Sequence, residues 1–255
     1  MSFMMKRLVF LSVIFTTAQF VISHSGYSQV NISVLSSNDS ADFYYRFPII
    51  KHPSEEISCR INKSLQNELL SNEEPITDEK ALFNNSREEL DSTWTVGLTH
   101  IDFSVLMNNS KLFSISFELE FISASVHTFP VYFNFHMTNG NEVKLQDLVS
   151  INARANLASF LIEQRKDRIV DWKKQLSGEY QPGDSLWVGE VFAECNRSAD
   201  IENFFIGKKE LVFYKVQCFP KIGQPYETDL DVKISFKELD RYLHSEGRRL
   251  LGLKD

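Results

Sequence analysis

The stretch that decides the fold is residues 112–149, which read LFSISFELEFISASVHTFPVYFNFHMTNGNEVKLQDLV. Its first part alternates apolar and polar residues, as a strand with one buried face does. The residues predicted to point inward are Phe113, Ile115, Phe117, Leu119 and Phe121. The residues predicted to face water are Ser114, Ser116, Glu118 and Glu120. The stretch therefore predicts an antiparallel sheet with one wet face.

A second alternating segment follows within the same stretch. Its predicted inward residues are Phe129, Val131, Phe133, Phe135 and Met137, and its predicted outward residues are Tyr132, Asn134 and His136. Asn139-Gly140 then tolerates the positive φ of a tight turn, which predicts a second hairpin. Upstream, residues 94–106 read as a strand and residues 108–110 as a turn, which predicts the first hairpin.

The helices show a different periodicity. Pro53 and Ser54 open a predicted helix in which Ile57, Ile61, Leu65 and Leu69 recur at every fourth position. A weaker helix is predicted over residues 78–90 and a long amphipathic helix over residues 151–176. Further strands are predicted at residues 42–50, 186–192, 204–206, 211–217 and 229–236, and a short helix at residues 237–244. Clustered strands with helices between them predict an α+β fold, with antiparallel sheets and helices packed on one face.

The N-terminal residues predict export. A basic start, an apolar run over residues 8–22 and small residues up to Ser28 are typical of a signal peptide, which we place at residues 1–28. The run is shorter than the roughly 20 residues that span a bilayer, so an uncleaved anchor is the less favoured alternative. The leader contains no cysteine that a lipoprotein would need. We expect a periplasmic or secreted protein with no membrane insertion after cleavage.

The rest of the chain is predicted to form two small tandem subdomains. Residues 29–122 form a strand, helix and hairpin unit, and residues 123–255 form an α+β unit. The formal charge of −7 and pI of about 5.5 argue against nucleic acid and anionic lipid as partners. A basic partner suits this charge, although a modest negative charge also simply keeps an exported protein soluble.

The chain has three cysteines, so an exported form leaves at least one unpaired. Cys195 and Cys218 each follow a strand-like run and are the favoured disulfide pair. Their disulfide would close a loop and, by reducing the entropy of the unfolded chain, would stabilise the fold by roughly 3 kcal/mol. Cys59 lies within a helical pattern, where a buried small apolar residue is the favoured interpretation.

Catalytic motifs give little support for an enzyme. The chain lacks GxSxG, HExxH, a CxxC pair and a phosphate-binding loop. His100, Asp102, His127, His136 and Asp147 do not have the spacing of a metal motif, so we expect neither metal nor cofactor. Glu118 and Glu120 lie about 7 Å apart on one strand face, and exposed acids are the favoured interpretation of this pair.

The order of short motifs resembles a known exported family. The motifs are FYYRFPII at residues 43–50, INKSLQNELL at residues 61–70, His127, FNFHMTNGNEVKLQDLV at residues 133–149, NFFIGKKELVFYK at residues 203–215 and DVKISFKELDRYL at residues 231–243. Together they resemble the lysozyme-sensing extracellular region of RsiV-type anti-sigma factors, a tandem of poorly characterised domains also found beside peptidoglycan deacetylases. Residues 123–255 resemble its C-terminal domain. Ser123, Ser125 and Thr128 stand where the family has glycines around the histidine.

The resemblance implies a non-enzymatic envelope binding protein. Its implied partner is lysozyme or another basic wall hydrolase, or else peptidoglycan glycan. An accessory envelope protein without a dedicated ligand is the alternative. The candidate binding residues are Glu118, Glu120, His127, Tyr132 and His136.

Overall fold

Two sheets organise the structure, one of five strands and one of three. The computed structural model describes residues 29–40, 43–72, 74–78, 81–82, 97–122, 126–177, 190, 194–195, 197–215 and 229–254. The strands are β1 (Asn31–Ser40), β2 (Phe43–Lys51), β3 (Gly97–Asn108), β4 (Leu112–Ile122), β5 (Val126–His136), β6 (Phe204–Ile206), β7 (Glu210–Phe213) and β8 (Val232–Ser235). The helices are α1 (Glu55–Leu70), α2 (Arg154–Ser177), α3 (Phe236–Leu239) and α4 (Ser245–Leu251). The predicted α+β class is confirmed.

Helix α1 begins directly after Ser54, as the sequence predicts. Ile57, Ile61 and Leu65 are buried along one stripe against the five-stranded sheet. The helix ends at Ser71, which adopts a left-handed conformation with a φ of 56° and donates its N–H to the Asn67 carbonyl oxygen. The apolar stripe therefore fixes which face of α1 meets the sheet.

A buried amide ties α1 to the neighbouring strand. Asn62 is 5% exposed. Its Oδ1 accepts from the Ile50 N–H and its Nδ2 donates to the Ile50 carbonyl oxygen, both at 2.8 Å. Because the side chain imitates a strand neighbour at the end of β2, both of its polar groups are satisfied inside the core.

The five-stranded sheet has the order β1-β2-β3-β4-β5, with one parallel pair, β2 with β3, among antiparallel ones. Strands β3 and β4 form the first predicted hairpin, with Phe103 opposite Phe117 in the register. The inward set of β4 is buried up to Leu119, whereas Glu118 is exposed. The alternation of the sequence thus correctly predicts the apolar face of β4. Ser114, which was predicted to face water, is instead 0% exposed, because it lies beside the covered Asn134 and its hydroxyl donates to Asn134 Oδ1 at 2.7 Å.

Strand β5 departs from the predicted pattern at two positions. Phe129 was expected inward but is 38% exposed, where it stacks on Phe121 with ring centroids 5.6 Å apart. Asn134 was expected in water but is only 4% exposed. The reason is that β6 covers this end of the sheet, because Asn134 Nδ2 donates to the Phe204 carbonyl oxygen and its Oδ1 accepts from the Ile206 N–H.

The Asn139-Gly140 turn is confirmed, but the hairpin that it closes is very short. Gly140 has a φ of +72°, and a Cβ there would lie 3.1 Å from the Ile57 carbonyl oxygen, so glycine is required. Beyond the turn one bridge joins Phe135 to Glu142 before the chain enters a 3₁₀ turn at Leu145–Asp147. The second hairpin is shortened because Val143 and Leu145 leave the sheet for the second hydrophobic cluster.

The second hydrophobic cluster lies between α2 and the sheet β6-β7-β8. Helix α2 matches the predicted long helix, and Leu157 and Leu161 are fully buried. The strand predicted at residues 211–217 ends at Phe213. Helix α4 was not predicted. At Gly247 in α4 a Cβ would lie 2.2 Å from the Leu148 carbonyl oxygen, so only glycine lets this helix dock so closely.

The predicted boundary between subdomains falls between two paired strands. Strand β5 begins after residue 122 and pairs with β4 along its length. The two hydrophobic clusters meet around the β3–β4 turn, where Met107 and Leu112 join the second one. The division into two small tandem subdomains, at residues 29–122 and 123–255, stays a prediction.

Several predictions fall partly or wholly on residues outside the described ranges. They are the leader at residues 1–28, most of the helix at residues 78–90, the first residues of the strand at 94–106, most of the strand at 186–192 and the last residues of the strand at 211–217. Of residues 186–192 only Glu190 is described, and it is helical. In the described part of the chain, no helix is long and apolar enough to cross a membrane.

The prediction for Cys59 is wrong, and the predicted disulfide stays a prediction. Cys59 is exposed and free, not buried as expected, because it lies on the solvent side of α1 away from the apolar stripe. Cys195 is buried and lies in a helical turn. Its predicted partner, Cys218, lies outside the described residues, so the Cys195–Cys218 disulfide stays a prediction.

Alkylation of the denatured protein without reduction is therefore expected to label one thiol, Cys59, and alkylation after reduction to label all three. Mass spectrometry of the labelled chain measures both numbers. The Cys59→Ser variant is the control and should lose the label before reduction. Three labelled thiols in the oxidised, unreduced protein would rule out the disulfide.

Candidate binding surface on the five-stranded sheet

Three neighbouring strands present their polar residues on one side of the five-stranded sheet. The register places His100 opposite Glu120 and Asp102 opposite Glu118, and it continues across β4 to Thr128, Pro130 and Tyr132. Cross-strand partners share a face of a sheet, so these residues form one continuous surface. We call this surface the polar sheet face, and its residues are His100, Asp102, Ser104, Ser116, Glu118, Glu120, Thr128, Pro130 and Tyr132.

The three carboxylates of the polar sheet face have different partners. Asp102 accepts from Arg46 Nη1 at 2.9 and 3.1 Å, and Glu120 accepts from the Thr99 hydroxyl at 2.8 Å. Glu118 is exposed and makes no hydrogen bond or ion pair with any residue in the described ranges. Asp102 and Glu118 are like charges at directly opposed positions, an arrangement that costs free energy unless a cation relieves it.

Arg46, on the neighbouring strand β2, offsets part of the repulsion between Asp102 and Glu118. Its guanidinium carbon also lies 5.5 Å from the centroid of the Phe103 ring. The Arg46–Asp102 pair is partly exposed, with side chains 39% and 30% accessible, so it contributes about 1 kcal/mol or less. Among the described residues, three carboxylates against one guanidinium leave the surface negative, and Glu118 is the acid that a cation can reach most directly.

Aromatic rings border the carboxylates on both sides. Tyr44 stacks on His100 with centroids 5.0 Å apart, and Tyr44 is 37% exposed. On the other side a shallow groove of about 310 Å³ runs beside Glu118. Among its lining residues are Asp102, Ser116, Glu118, Phe129, Pro130 and Tyr132. A cation with an apolar stem would fit such a groove, because Pro130 and the Tyr132 ring would contact the stem while Asp102 and Glu118 would contact the charge.

Tyr132 packs mainly against other aromatic rings, so it supports this surface more than it anchors a partner. Its ring stacks on Phe205 of β6 at 4.3 Å and lies 4.8 Å from the Tyr214 ring. Burial, and then the negative charge of Asp231, raise the pKa of Tyr132 to about 12. The phenol therefore stays protonated at neutral pH, and its stacking holds the polar sheet face against the second sheet.

The structure brings together only part of the predicted set of binding residues. Glu118, Glu120 and Tyr132 share the polar sheet face. His127 lies opposite Phe121, on the other side of the sheet. His136 lies at the far end of β5, beyond the covered Asn134, where its Nε2 is 3.4 Å from Asp147 Oδ2.

Three further residues of the surface were not predicted as binding residues. Asp102 could have been found, since it shares a strand face with His100 in the sequence pattern. Arg46 and Tyr44 could not, because their place depends on the parallel pairing of β2 with β3, which no local pattern encodes. Within the described ranges, no group of three or more histidine, cysteine or acidic residues could hold a metal ion.

These features define an α+β protein in which a five-stranded sheet with an acidic face meets a smaller three-stranded sheet. The fold is similar to that of a DUF3298 family member from Bacteroides fragilis, whose crystal structure matches with a TM-score of 0.59 and 13% sequence identity over 89% of this chain and 98% of that one. A DUF3298 family protein from Pseudomonas aeruginosa PAO1 matches with a TM-score of 0.49 and 12% identity, over 86% of this chain and 94% of that one. No protein-family model and no curated protein match the sequence. The similarity concerns a domain of unknown function and extends to the fold alone.

Proposed function

We propose that this protein is an exported, non-enzymatic binding protein whose polar sheet face recognises a basic protein. The observation that carries the proposal is the clustering of Asp102, Glu118 and Glu120 on one strand surface, where Arg46 is the one close cation among the described residues. Glu118 has no cation among its described neighbours. A surface with surplus carboxylates attracts a positively charged partner and accelerates its association.

A protein partner fits this surface better than a nucleic acid or an anionic membrane. The whole chain carries a formal charge of −7, and both alternatives select for basic surfaces. Lysine and arginine side chains combine an apolar stem with a charged end, which matches the groove that Glu118, Pro130 and Tyr132 line. The polar sheet face therefore suits a protein rich in these residues.

Lysozyme is the candidate partner for two reasons. It is a strongly basic wall hydrolase, and the sequence motifs resemble the lysozyme-sensing region of RsiV-type anti-sigma factors. The signal peptide proposed at residues 1–28 would deliver the protein to the periplasm or the cell exterior, where such hydrolases act. The departures at Ser123, Ser125 and Thr128 leave the β4–β5 connection unlike that of the family, so the proposal rests on the sheet face and not on that connection.

A cell-wall glycan and the absence of a dedicated ligand are the competing assignments. The exposed Tyr44 ring would suit a sugar face, but the surplus of carboxylates does not favour a neutral polymer. An accessory envelope protein would need no surplus of carboxylates on one sheet face. Both assignments predict no salt-dependent binding of lysozyme.

Calorimetric titration of the purified protein with lysozyme tests the proposal. We expect binding that weakens as salt rises from low to moderate concentration, because exposed charges are screened. The Glu118→Gln/Glu120→Gln variant is expected to bind about 5- to 30-fold more weakly at low salt, the loss of two exposed charge contacts.

A matched control removes the same charge elsewhere. The Glu163→Gln/Asp167→Asn variant neutralises two exposed acids on α2 and is expected to bind lysozyme like the unaltered protein. If both double variants lose affinity equally, the attraction is a property of net charge and the polar sheet face is not the site. Absence of binding at about 50 µM would reject lysozyme as the partner.

A further inference from the structure

A second, separate cleft lies where the two hydrophobic clusters meet. It measures about 460 Å³ and is formed by the β3–β4 turn, the Asn139-Gly140 turn, the 3₁₀ turn at Leu145–Asp147 and helix α4. Its described lining includes Ser110, Lys111, His136, Thr138, Asp147 and Arg249. Cavities of this size at the junction of two structural units are common sites for small ligands.

Lys111 is the cation of this cleft that has no acidic partner. Its Nζ donates to the Arg249 carbonyl oxygen near the C-terminal end of α4. Within the described ranges it forms no ion pair. An ammonium has three donor hydrogens, so the bond to Arg249 fixes the charge in place and leaves two donors for a ligand.

The other charged groups of the cleft already have partners. Asp147 Oδ2 accepts from the Lys144 N–H at 2.7 Å and lies 3.4 Å from His136 Nε2. Glu246 Oε1 lies 3.4 Å from Arg249 Nη2. These acids balance their own neighbours, so the charge available to a ligand is that of Lys111.

His244 does not compete for the ligand. Its Nδ1 accepts from the Gly247 N–H at 3.1 Å, so its Nε2 carries the proton and donates to the Gln146 carbonyl oxygen at 3.0 Å. Both ring nitrogens are therefore used in holding α4 onto the turn before α2. The ring is a structural wall of the cleft.

Neutral hydrogen-bonding groups line the same cleft as Lys111. The hydroxyls of Ser110 and Thr138 and the amide of Gln146 line the cleft and form no hydrogen bond within the described part of the chain. Leu250 supplies an apolar wall. Such a lining matches a ligand that carries hydroxyl groups beside a single negative charge.

We infer that this cleft binds a small hydroxyl-rich carboxylate of the sugar-acid class. A carboxylate carries one negative charge, which Lys111 matches, and inorganic phosphate has no carbon skeleton that would carry further hydroxyl groups to the neutral lining. The hydroxyls of a sugar acid would pair with Ser110, Thr138 and Gln146. This site is separate from the polar sheet face and does not depend on the function proposed for it.

Proton NMR of the purified protein titrated with D-glucuronate tests the inference. We expect the imidazole signals of His136 to move with a Kd of about 1 mM or lower, while those of His52 and His127 stay in place. The His136→Gln variant assigns the signal. D-glucose, the uncharged match, and inorganic phosphate, the other anion, are expected to cause no comparable shift.

Two variants localise the binding. Lys111→Gln is expected to weaken glucuronate binding by at least about tenfold, through loss of a charge-assisted bond, whereas Lys166→Gln on α2 leaves it unchanged. Since Lys111 also holds α4, Thr138→Val serves as the second variant, because its hydroxyl bonds to no described residue and its loss should weaken binding about threefold without changing Tm.

Three results would overturn the inference. They are no movement of the His136 signals with glucuronate up to about 20 mM, equal movement with glucose or phosphate, and equal affinity of the Lys111→Gln and Lys166→Gln variants.

Discussion

Replacing Arg165 by methionine is expected to lower the free energy of unfolding by about 3 to 5 kcal/mol. Arg165 is 0% exposed in the middle of α2. Its Nε donates to the Leu230 carbonyl oxygen at 3.1 Å, Nη1 to that of Ala199 at 2.6 Å and Nη2 to that of Phe213 at 3.2 Å. Methionine fills the volume but leaves these carbonyls without a donor, and each such loss costs about 1 to 3 kcal/mol.

Urea denaturation followed by circular dichroism measures this cost. The control is Lys166→Met, which changes the adjacent exposed position of the same helix and is expected to cost about 0.5 kcal/mol or less. Arg165→Lys should recover only part of the stability, because one ammonium cannot reach three carbonyls in a planar fork. A cost below about 1 kcal/mol for Arg165→Met would mean that the guanidinium does not join these segments.

Phe117→Ala is expected to lower the free energy of unfolding by about 3 to 5 kcal/mol. Phe117 is 1% exposed, and its ring centroid lies 5.6 Å from that of Phe47, 5.9 Å from that of Phe133 and 6.3 Å from that of Phe103. Removing the ring leaves a cavity among side chains from four strands. Phe135→Ala, at another fully buried ring, should cost a similar amount.

Glu118→Ala is the matched control, one residue along the same strand and on the opposite face. It is expected to cost less than about 0.5 kcal/mol, since Glu118 is exposed and unpaired within the described ranges. Equal costs for Phe117→Ala and Glu118→Ala would contradict the strand register, because a shift by one residue exchanges the two faces.

Local patterns predicted the elements whose environment is uniform along their length. The apolar face of β4 and the four-residue spacing of α1 each meet one continuous core, so the period alone gives these two buried faces. The same rule is wrong at Ser114 of β4, which is buried beside Asn134 on the other face. In β5 the same rule is wrong at Phe129 and Asn134 because the environment changes along the strand. The end of β5 that contains Phe129 extends past the core, whereas β6 covers the end that contains Asn134.

Such local patterns did not predict the buried polar residues. Arg165 falls between the buried Leu161 and Ile169 on the same stripe of α2, but a charged residue reads as exposed when its partners are unknown. Its three acceptors lie 34 to 65 residues further along the chain. Only the tertiary structure shows that these carbonyls converge on one guanidinium.

The binding surface was predicted in part for the same reason. Glu118, Glu120 and Tyr132 follow from two neighbouring strands of one hairpin, where register is local. The pairing of Arg46 with Asp102 depends on β2 lying beside β3, and the separation of His136 from the polar sheet face depends on β6 covering Asn134. Residues far apart in sequence thus decide how large the acidic surface is.

Amide chemical-shift mapping of the protein with added lysozyme at low salt is the most direct test of the proposed function. We expect the largest shifts at Ser104, Ser116, Glu118 and Thr128, and none at Ile57, Ile61 and Leu65, which line the other side of the same sheet. The shifts should decrease when salt is raised. Shifts of similar size scattered over both faces, or confined to α2 and α4, would contradict the assignment of the polar sheet face as the binding surface.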